Sequence, residues 1–251
     1  MLKYPLVFLY NVLEEQYAVY RSGLFDHLKL IFEQEDKKCL FLPIRNSKFS
    51  HMEGRVEKID KELRKIGPAH IIALSVAGVD CRLASSLKDT PMKTLFTVSS
   101  PHRGSFMADY ALTSGKQIHS IDPLFKLIGI PYYAFTELET GKMKSLNKAY
   151  PSCRVPVYST SSWRLKKDCS DLLTRTSQIM QHDQEVVHKW NDGLFYVNEM
   201  KWGDHLMSFD GDHSHVFGCS LKVNCGPIYR LAIDNAIRFE RHEEGKVATL
   251  K

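Results

Sequence analysis

One serine in this chain stands where a nucleophile could work. Residues 73–77 read Ala73-Leu74-Ser75-Val76-Ala77, behind the apolar run His70 to Leu74 and ahead of a helical pattern. A strand, a small-x-Ser-x-small turn and a helix make the context of a nucleophile elbow. The small flanking residues let the two backbones pass close together while the serine takes a strained conformation. The helix N-terminus behind it favours an anionic intermediate. A serine hydroxyl is a weak nucleophile until a base takes its proton. Two histidines, His213 and His215, stand in the polar loop 210–215, and Asp192 stands in Asn191-Asp192-Gly193. Spacing does not decide between the two histidines, and Asn-Asp-Gly is also an ordinary turn.

The elements that would position these groups can be read from periodicity. Leu6 to Tyr10, Cys39 to Ile44, His70 to Leu74 and Thr94 to Val98 read as short buried strands, and regular structure returns near Val155 to Ser159. Leu24, Leu28, Ile31 and Phe32 recur at i, i+4, i+7 and i+8, which predicts a helix. Met52, Val56, Ile59, Leu63 and Ile66 form one helical face, stopped by Gly67-Pro68. Val79, Leu83 and Leu87 predict another helix, and Ile228 to Phe239 a closing one. This β/α alternation implies a mostly parallel sheet covered by helices on both faces. Functional groups in such sheets gather at the carboxyl ends of the strands, here after Tyr10, Leu74 and Val98. Residues 105–150 break the rhythm. Leu124, Phe125, Leu127, Ile128, Ile130, Tyr132, Tyr133 and Phe135 fall there without regular spacing. The segment reads as a lid-like insertion with an acyl-binding wall, or as ordinary helical cover.

Four ordered motifs add specificity. Residues 71–82, from Ile71 to Arg82, resemble the "LIGHSMGGLDCR" segment of the bacterial-type triacylglycerol lipases of the α/β-hydrolase superfamily. Ser99 to Ser105 resembles their "STPHRGS" turn. Asn191-Asp192-Gly193-Leu194 with Lys201-Trp202-Gly203 resembles their "NDGLVSVESAKWG" segment, and Asp212-His213 their "DHLD" loop. The resemblance runs from Tyr4 to about Gly218. It implies an α/β-hydrolase fold over one domain, residues 1–251, with a cap at about 105–150. It further implies a catalytic set of Ser75, Asp192 and His213, in the order Ser, Asp, His of that superfamily. His213 would shuttle the proton and Asp192 would fix and stabilise the imidazolium. It places the oxyanion donors at the backbone amides of Val76 and Val12.

The chain also departs from the pattern. Ala73 and Ala77 replace glycines, and Leu74 replaces the histidine before the nucleophile. Tyr10-Asn11 replaces the His-Gly that precedes the donor, and Leu13-Glu14-Glu15-Gln16 follows it. If the hole survives through backbone groups alone, Asn11→Gly is expected to leave turnover intact. His215 stands where calcium-dependent members carry a carboxylate, so no structural calcium is expected. No zinc spacing and no cofactor motif occur. His102, in Pro101-His102-Arg103-Gly104, reads as structural. Two readings follow. The first is a serine hydrolase of carboxylic esters, lipid or other acyl esters, working through an acyl-enzyme. The alternative is a lipase-like subunit with little or no catalysis, serving a structural or binding role among protein partners.

Composition bounds the remaining classes. The 251 residues carry 34 Lys and Arg against 29 Asp and Glu, a net charge of +5, with 43% hydrophobic residues. These ordinary globular values exclude a fibrous or wholly disordered chain. Basic residues form no long block, so no nucleic-acid partner is expected. No apolar stretch nears the roughly 18 residues of a membrane span, which leaves at most a membrane-surface contact. The six cysteines, Cys39, Cys81, Cys153, Cys169, Cys219 and Cys225, form no C-x-x-C pair and read as free thiols. With no cleavable leader at Met1 to Pro5, they point to an intracellular setting, cytoplasmic or mitochondrial.

Overall fold

The computed structural model describes residues 2–13, 25–35, 39–47, 50–114, 129–181, 190–218 and 223–249. Among the described residues, six strands form one sheet in the order β2-β1-β3-β4-β5-β6. They are β1 Leu6–Leu13, β2 Cys39–Asn46, β3 Ala69–Leu74, β4 Met92–Val98, β5 Val157–Trp163 and β6 Asp204–Asp210. Every neighbouring pair is parallel. The chain moves from β1 to β2 in one direction and then returns to place β3 on the other side of β1. The crevice between the carboxyl ends of β1 and β3 is therefore the topological switch point. Ser75 and Asn11 both lie there.

Alternation along β1 explains the two layers. Leu6, Phe8, Tyr10 and Val12 pack with α1 (Asp26–Gln34) and the closing helix α8 (Gly226–Thr249) on one face. Val7 and Leu9 pack on the other with Ile59 and Leu63 of α2 (Met52–Ile66) and Ala77 and Cys81 of α3 (Val76–Ala84). A third cluster joins Val76, Leu194 and Phe195 to Met107, Ile130, Ala134, Phe135 and Leu138. The described parts of the 105–150 insertion are thus helical, as α4 Phe106–Ser114, α5 Tyr132–Thr136 and α6 Thr140–Ala149. They pack directly beside the residues that follow Ser75 and Asp192. Leu24, Leu124, Phe125, Leu127, Ile128, Cys219 and Glu14 to Gln16 lie outside the described residues.

Three expectations need adjustment. The helix expected to include Leu87 ends at Ala84, where Ser85 turns its hydroxyl back onto the Arg82 carbonyl at 2.6 Å. Strand β1 does not stop at Tyr10 but runs to Leu13, because Asn11 to Leu13 stay in register with Ile44 to Asn46. Strand β6 and helix α7 (Asp171–Gln181) have no counterpart in the periodicity reading. β6 is one of the two edge strands and largely exposed, so it carries little apolar alternation.

Candidate active site

The chain leaves β3 at Leu74 and enters α3 at Val76, so Ser75 alone makes the turn. Its φ is 56° and ψ −133°, a conformation costly for a residue with a Cβ. The Ser75 amide donates to the Val98 carbonyl at 2.8 Å, anchoring the turn to β4. Close packing explains the small residues behind it. A Cβ on Gly78 would lie 2.0 Å from Ser100 Oγ, so only glycine lets α3 pass β4 at this distance. Ala at positions 73 and 77 suffices in place of glycine, both being fully buried against neighbouring elements.

The strain gives a prediction. Ser75→Gly and Ser75→Ala both lose the hydroxyl, but only the alanine keeps the unfavourable φ. Ser75→Gly is expected to be the more stable by about 1 kcal/mol, or roughly 2–4 °C in melting temperature for a chain of this size. Calorimetry of the two variants checks this; an alanine variant melting at or above the glycine variant would show that the turn is unstrained.

The structure brings Ser75, His213 and Asp192 together. Ser75 Oγ lies 2.9 Å from His213 Nε2, and His213 Nδ1 lies 2.7 Å from Asp192 Oδ2. All three are buried. With Nδ1–H donated to the carboxylate, Nε2 is left to accept the serine proton. Asp192 has its acceptor positions filled. Oδ1 accepts the amides of Leu194 at 3.0 Å and Phe195 at 2.8 Å, and Oδ2 accepts Ser162 Oγ–H at 2.8 Å as well as the imidazole. Ser162 is held by Ser99 Oγ at 2.7 Å. The imidazole ring is wedged edge-to-face between Phe195 and Phe217, at centroid distances of 5.1 and 5.6 Å.

His215, the rival base, faces elsewhere. Its Nδ1 lies 2.9 Å from Asp212 Oδ1 and 3.0 Å from the Asp212 backbone nitrogen. Asp212 also accepts the Ser170 amide at 2.6 Å, the Ser214 amide at 2.9 Å and the Ser214 hydroxyl at 2.7 Å. Burial raises the Asp212 carboxyl, but these bonds outweigh it and hold the group well below the usual carboxylate range. Asp212 and His215 therefore brace the loop that carries His213.

The remaining motif residues form a separate packing cluster. The Arg82 guanidinium lies 4.2 Å from the Trp202 ring, and the His102 ring 5.9 Å from it. His102 Nε2 meets Thr97 Oγ1 at 3.0 Å. Burial, with Arg82 and Arg103 nearby, keeps His102 well below its ordinary pKa and hence neutral. Among the described residues, no group of three His, Cys, Asp or Glu side chains could hold a metal ion.

The two expected oxyanion donors differ in placement. Val76 opens α3, and the first amides of a helix have no acceptor within it. Its N–H is thus available directly after Ser75. Val12 is placed differently. In a parallel ladder, successive amides face alternate neighbours. His70 N–H donates to the Pro5 carbonyl at 2.9 Å, so the β1 amides of Val7, Leu9 and Asn11 face β3. Those of Phe8, Tyr10 and Val12 face β2. The Val12 amide is therefore turned away from Ser75. Without the His-Gly pair, no glycine kink interrupts β1, and the strand continues through the position.

Sequence reasoning passed over several residues of this region. Ser162 closes a buried strand whose hydroxyl run, Ser159-Thr160-Ser161-Ser162, was the available signal. Arg55, Asp80 and Asn46 are buried polar groups that periodicity does not mark. The Asn11 side chain is not idle either: its Nδ2 reaches Asp80 Oδ2 at 3.2 Å, and its Oδ1 accepts Asn46 Nδ2–H at 3.0 Å. The expectation that Asn11→Gly would be harmless is therefore revised.

Comparison with known proteins bears on the fold. No family model matches the chain. It is 28% identical over 204 residues to triacylglycerol lipase 2 of Saccharomyces cerevisiae, a match covering 75% of this chain and 61% of that protein. The chain thus spans about three-fifths of the length of this curated relative. Among solved structures, Staphylococcus hyicus lipase superposes with a TM-score of 0.70 at 13% identity, covering 96% of this chain and 97% of its own. Mature Bacillus licheniformis lipase BlEst2 gives 0.68 at 16%, covering 88% and 89%. The metagenomic carboxyl esterase MGS0156 gives 0.68 at 18%, covering 96% and 76%.

Proposed function

We propose that this chain, which has the α/β-hydrolase fold and distant homology to lipases, is a serine hydrolase of carboxylic esters. The observation that carries the reading is the continuous Ser75–His213–Asp192 relay, at 2.9 and 2.7 Å, built on a strained turn. His213 takes the Ser75 proton as Oγ attacks the ester carbonyl. The tetrahedral intermediate collapses, His213 gives that proton to the departing alkoxide, and an acyl-enzyme remains. Water, activated by the same imidazole, then releases the acid. Asp192 keeps Nδ1 protonated and stabilises the imidazolium. The Val76 amide supplies one oxyanion donor.

Lipid esters are the favoured substrate class. The curated relative is a triacylglycerol lipase, and an apolar cluster containing Ile130, Phe135 and Leu138 meets Val76 and Phe195 beside the relay. Cys39, Cys81, Cys153, Cys169 and Cys225 are free thiols, which supports a reducing, intracellular setting. The test is a series of p-nitrophenyl esters of rising acyl length. Turnover of at least one, with preference for longer chains, is expected; a folded protein that cleaves none would refute the reading.

One observation favours the second reading, a lipase-like protein without catalysis. The Val12 amide faces β2, so the donor geometry expected from the resemblance is not made. The choice between the readings turns on whether β1 offers another donor.

A further inference from the structure

The crevice side of β1 offers the Asn11 amide. The β1–β3 ladder ends at Leu9 paired with Ala73, and continuing that register sets Asn11 opposite Ser75. The Asn11 N–H points toward β3, beyond the last ladder pair and level with the nucleophile. Neighbouring strands lie about 5 Å apart, so this amide borders the space where an oxyanion would develop.

Its side chain is held by a buried polar circuit. Asp80 lies on α3, the helix that begins directly after Ser75, and is fully buried. It accepts Asn11 Nδ2–H at 3.2 Å, Arg55 Nε–H at 2.8 Å and Arg55 Nη2–H at 3.1 Å. Arg55, equally buried, neutralises it and extends Nη1 toward Glu137 Oε2 at 3.3 Å. On the other side, Asn46 Nδ2 donates to Asn11 Oδ1 and to the Gly129 carbonyl, each at 3.0 Å. Gly129 presses on the next peptide, Asn11–Val12. Its φ is +70°, and a Cβ there would lie 2.1 Å from the Asn11 oxygen and 2.7 Å from the Val12 nitrogen. One residue is thus clamped from the nucleophile helix, from β2 and from the inserted segment.

We infer that Asn11 supplies the second oxyanion donor through its backbone N–H, and that Asp80 is the positioning residue that holds it there. The proposal rests on the hydrolase reading. It explains why a strand without His-Gly can still serve: the kink is replaced by a side-chain clamp that fixes an amide one residue earlier.

The test compares wild type with Asp80→Asn and Asn11→Ala on the best p-nitrophenyl ester. Asp80→Asn leaves Arg55 without its full counter-charge and can fail to fold. Asn11→Ala keeps the bidentate Arg55–Asp80 pair and removes only the tether. In Asn11→Ala, kcat is expected to fall about 10- to 100-fold, part of the loss of a whole donor, with KM within about twofold. Affinity for a trifluoromethyl ketone, whose Ser75 adduct carries the oxyanion, should fall in proportion to kcat/KM. A purely structural role would lower the melting temperature and leave both constants of the folded enzyme unchanged. An active wild type with kcat retained in Asn11→Ala overturns this proposal alone. A wild type that takes up no fluorophosphonate and cleaves no ester overturns the hydrolase reading and this proposal with it.

Discussion

Asp192→Asn is expected to lower kcat by about 10⁴-fold while leaving the fold intact. The reason lies in the four hydrogen bonds that the carboxylate accepts. Leu194 and Phe195 amides bind Oδ1, and an asparagine keeps its carbonyl oxygen there because both are donors. That choice points the new NH₂ group at Ser162 Oγ and His213 Nδ1, formerly both donors to Oδ2. The Ser162 hydroxyl can rotate and accept. The imidazole can avoid a donor-to-donor contact only by moving its proton to Nε2. In that tautomer Nε2 can no longer take the Ser75 proton, and no buried negative charge remains to stabilise an imidazolium. Steady-state kinetics with circular dichroism checks the outcome. A folded Asp192→Asn enzyme within tenfold of wild type would remove Asp192 from the relay.

His213→Ala is expected to abolish turnover to a similar or greater degree, on the order of 10⁴- to 10⁶-fold. Removing His215 should act differently. His215 touches Asp212, not Ser75, so His215→Ala loosens the loop that carries His213 and costs stability first. The contrast decides which histidine is the base. Loss of the same size in His215→Ala, without loss of folded protein, would reverse the assignment. Kinetics and thermal melts of the two variants side by side make the comparison.

The resemblance carried the candidate site further than composition or periodicity did. Ser75 stood out by its strand-turn-helix context, but a serine before a helix is also an ordinary N-cap, and the ordered motifs made it specific. Asp192 and His213 did not stand out, because Asn-Asp-Gly and a polar loop are common surface features; only the ordered motifs tied them to Ser75. The strands of the buried sheet interior were legible because both faces are covered, which writes them as continuous apolar runs. β6 escaped because an exposed edge strand has no such run. The Arg55–Asp80–Asn11–Asn46 circuit escaped for another reason. Its hydrogen-bonded partners are 25 to 69 positions apart in the chain, and each looks like an ordinary polar residue until the fold buries it. The orientation of the Val12 amide likewise depends on how far β1 continues, and side-chain pattern does not fix where a strand stops.

The central claim is that Ser75 is an activated nucleophile. Labelling of the purified chain by a fluorophosphonate probe, beside the Ser75→Ala variant, tests it without knowledge of the substrate. The probe phosphonylates a serine whose proton is taken by a neighbouring base, and the adduct oxygen needs the same donors as an ester oxyanion. Stoichiometric labelling of the wild type, lost in Ser75→Ala, is the predicted result. A folded wild type that remains unlabelled would contradict the account, and would favour the lipase-like protein without catalysis.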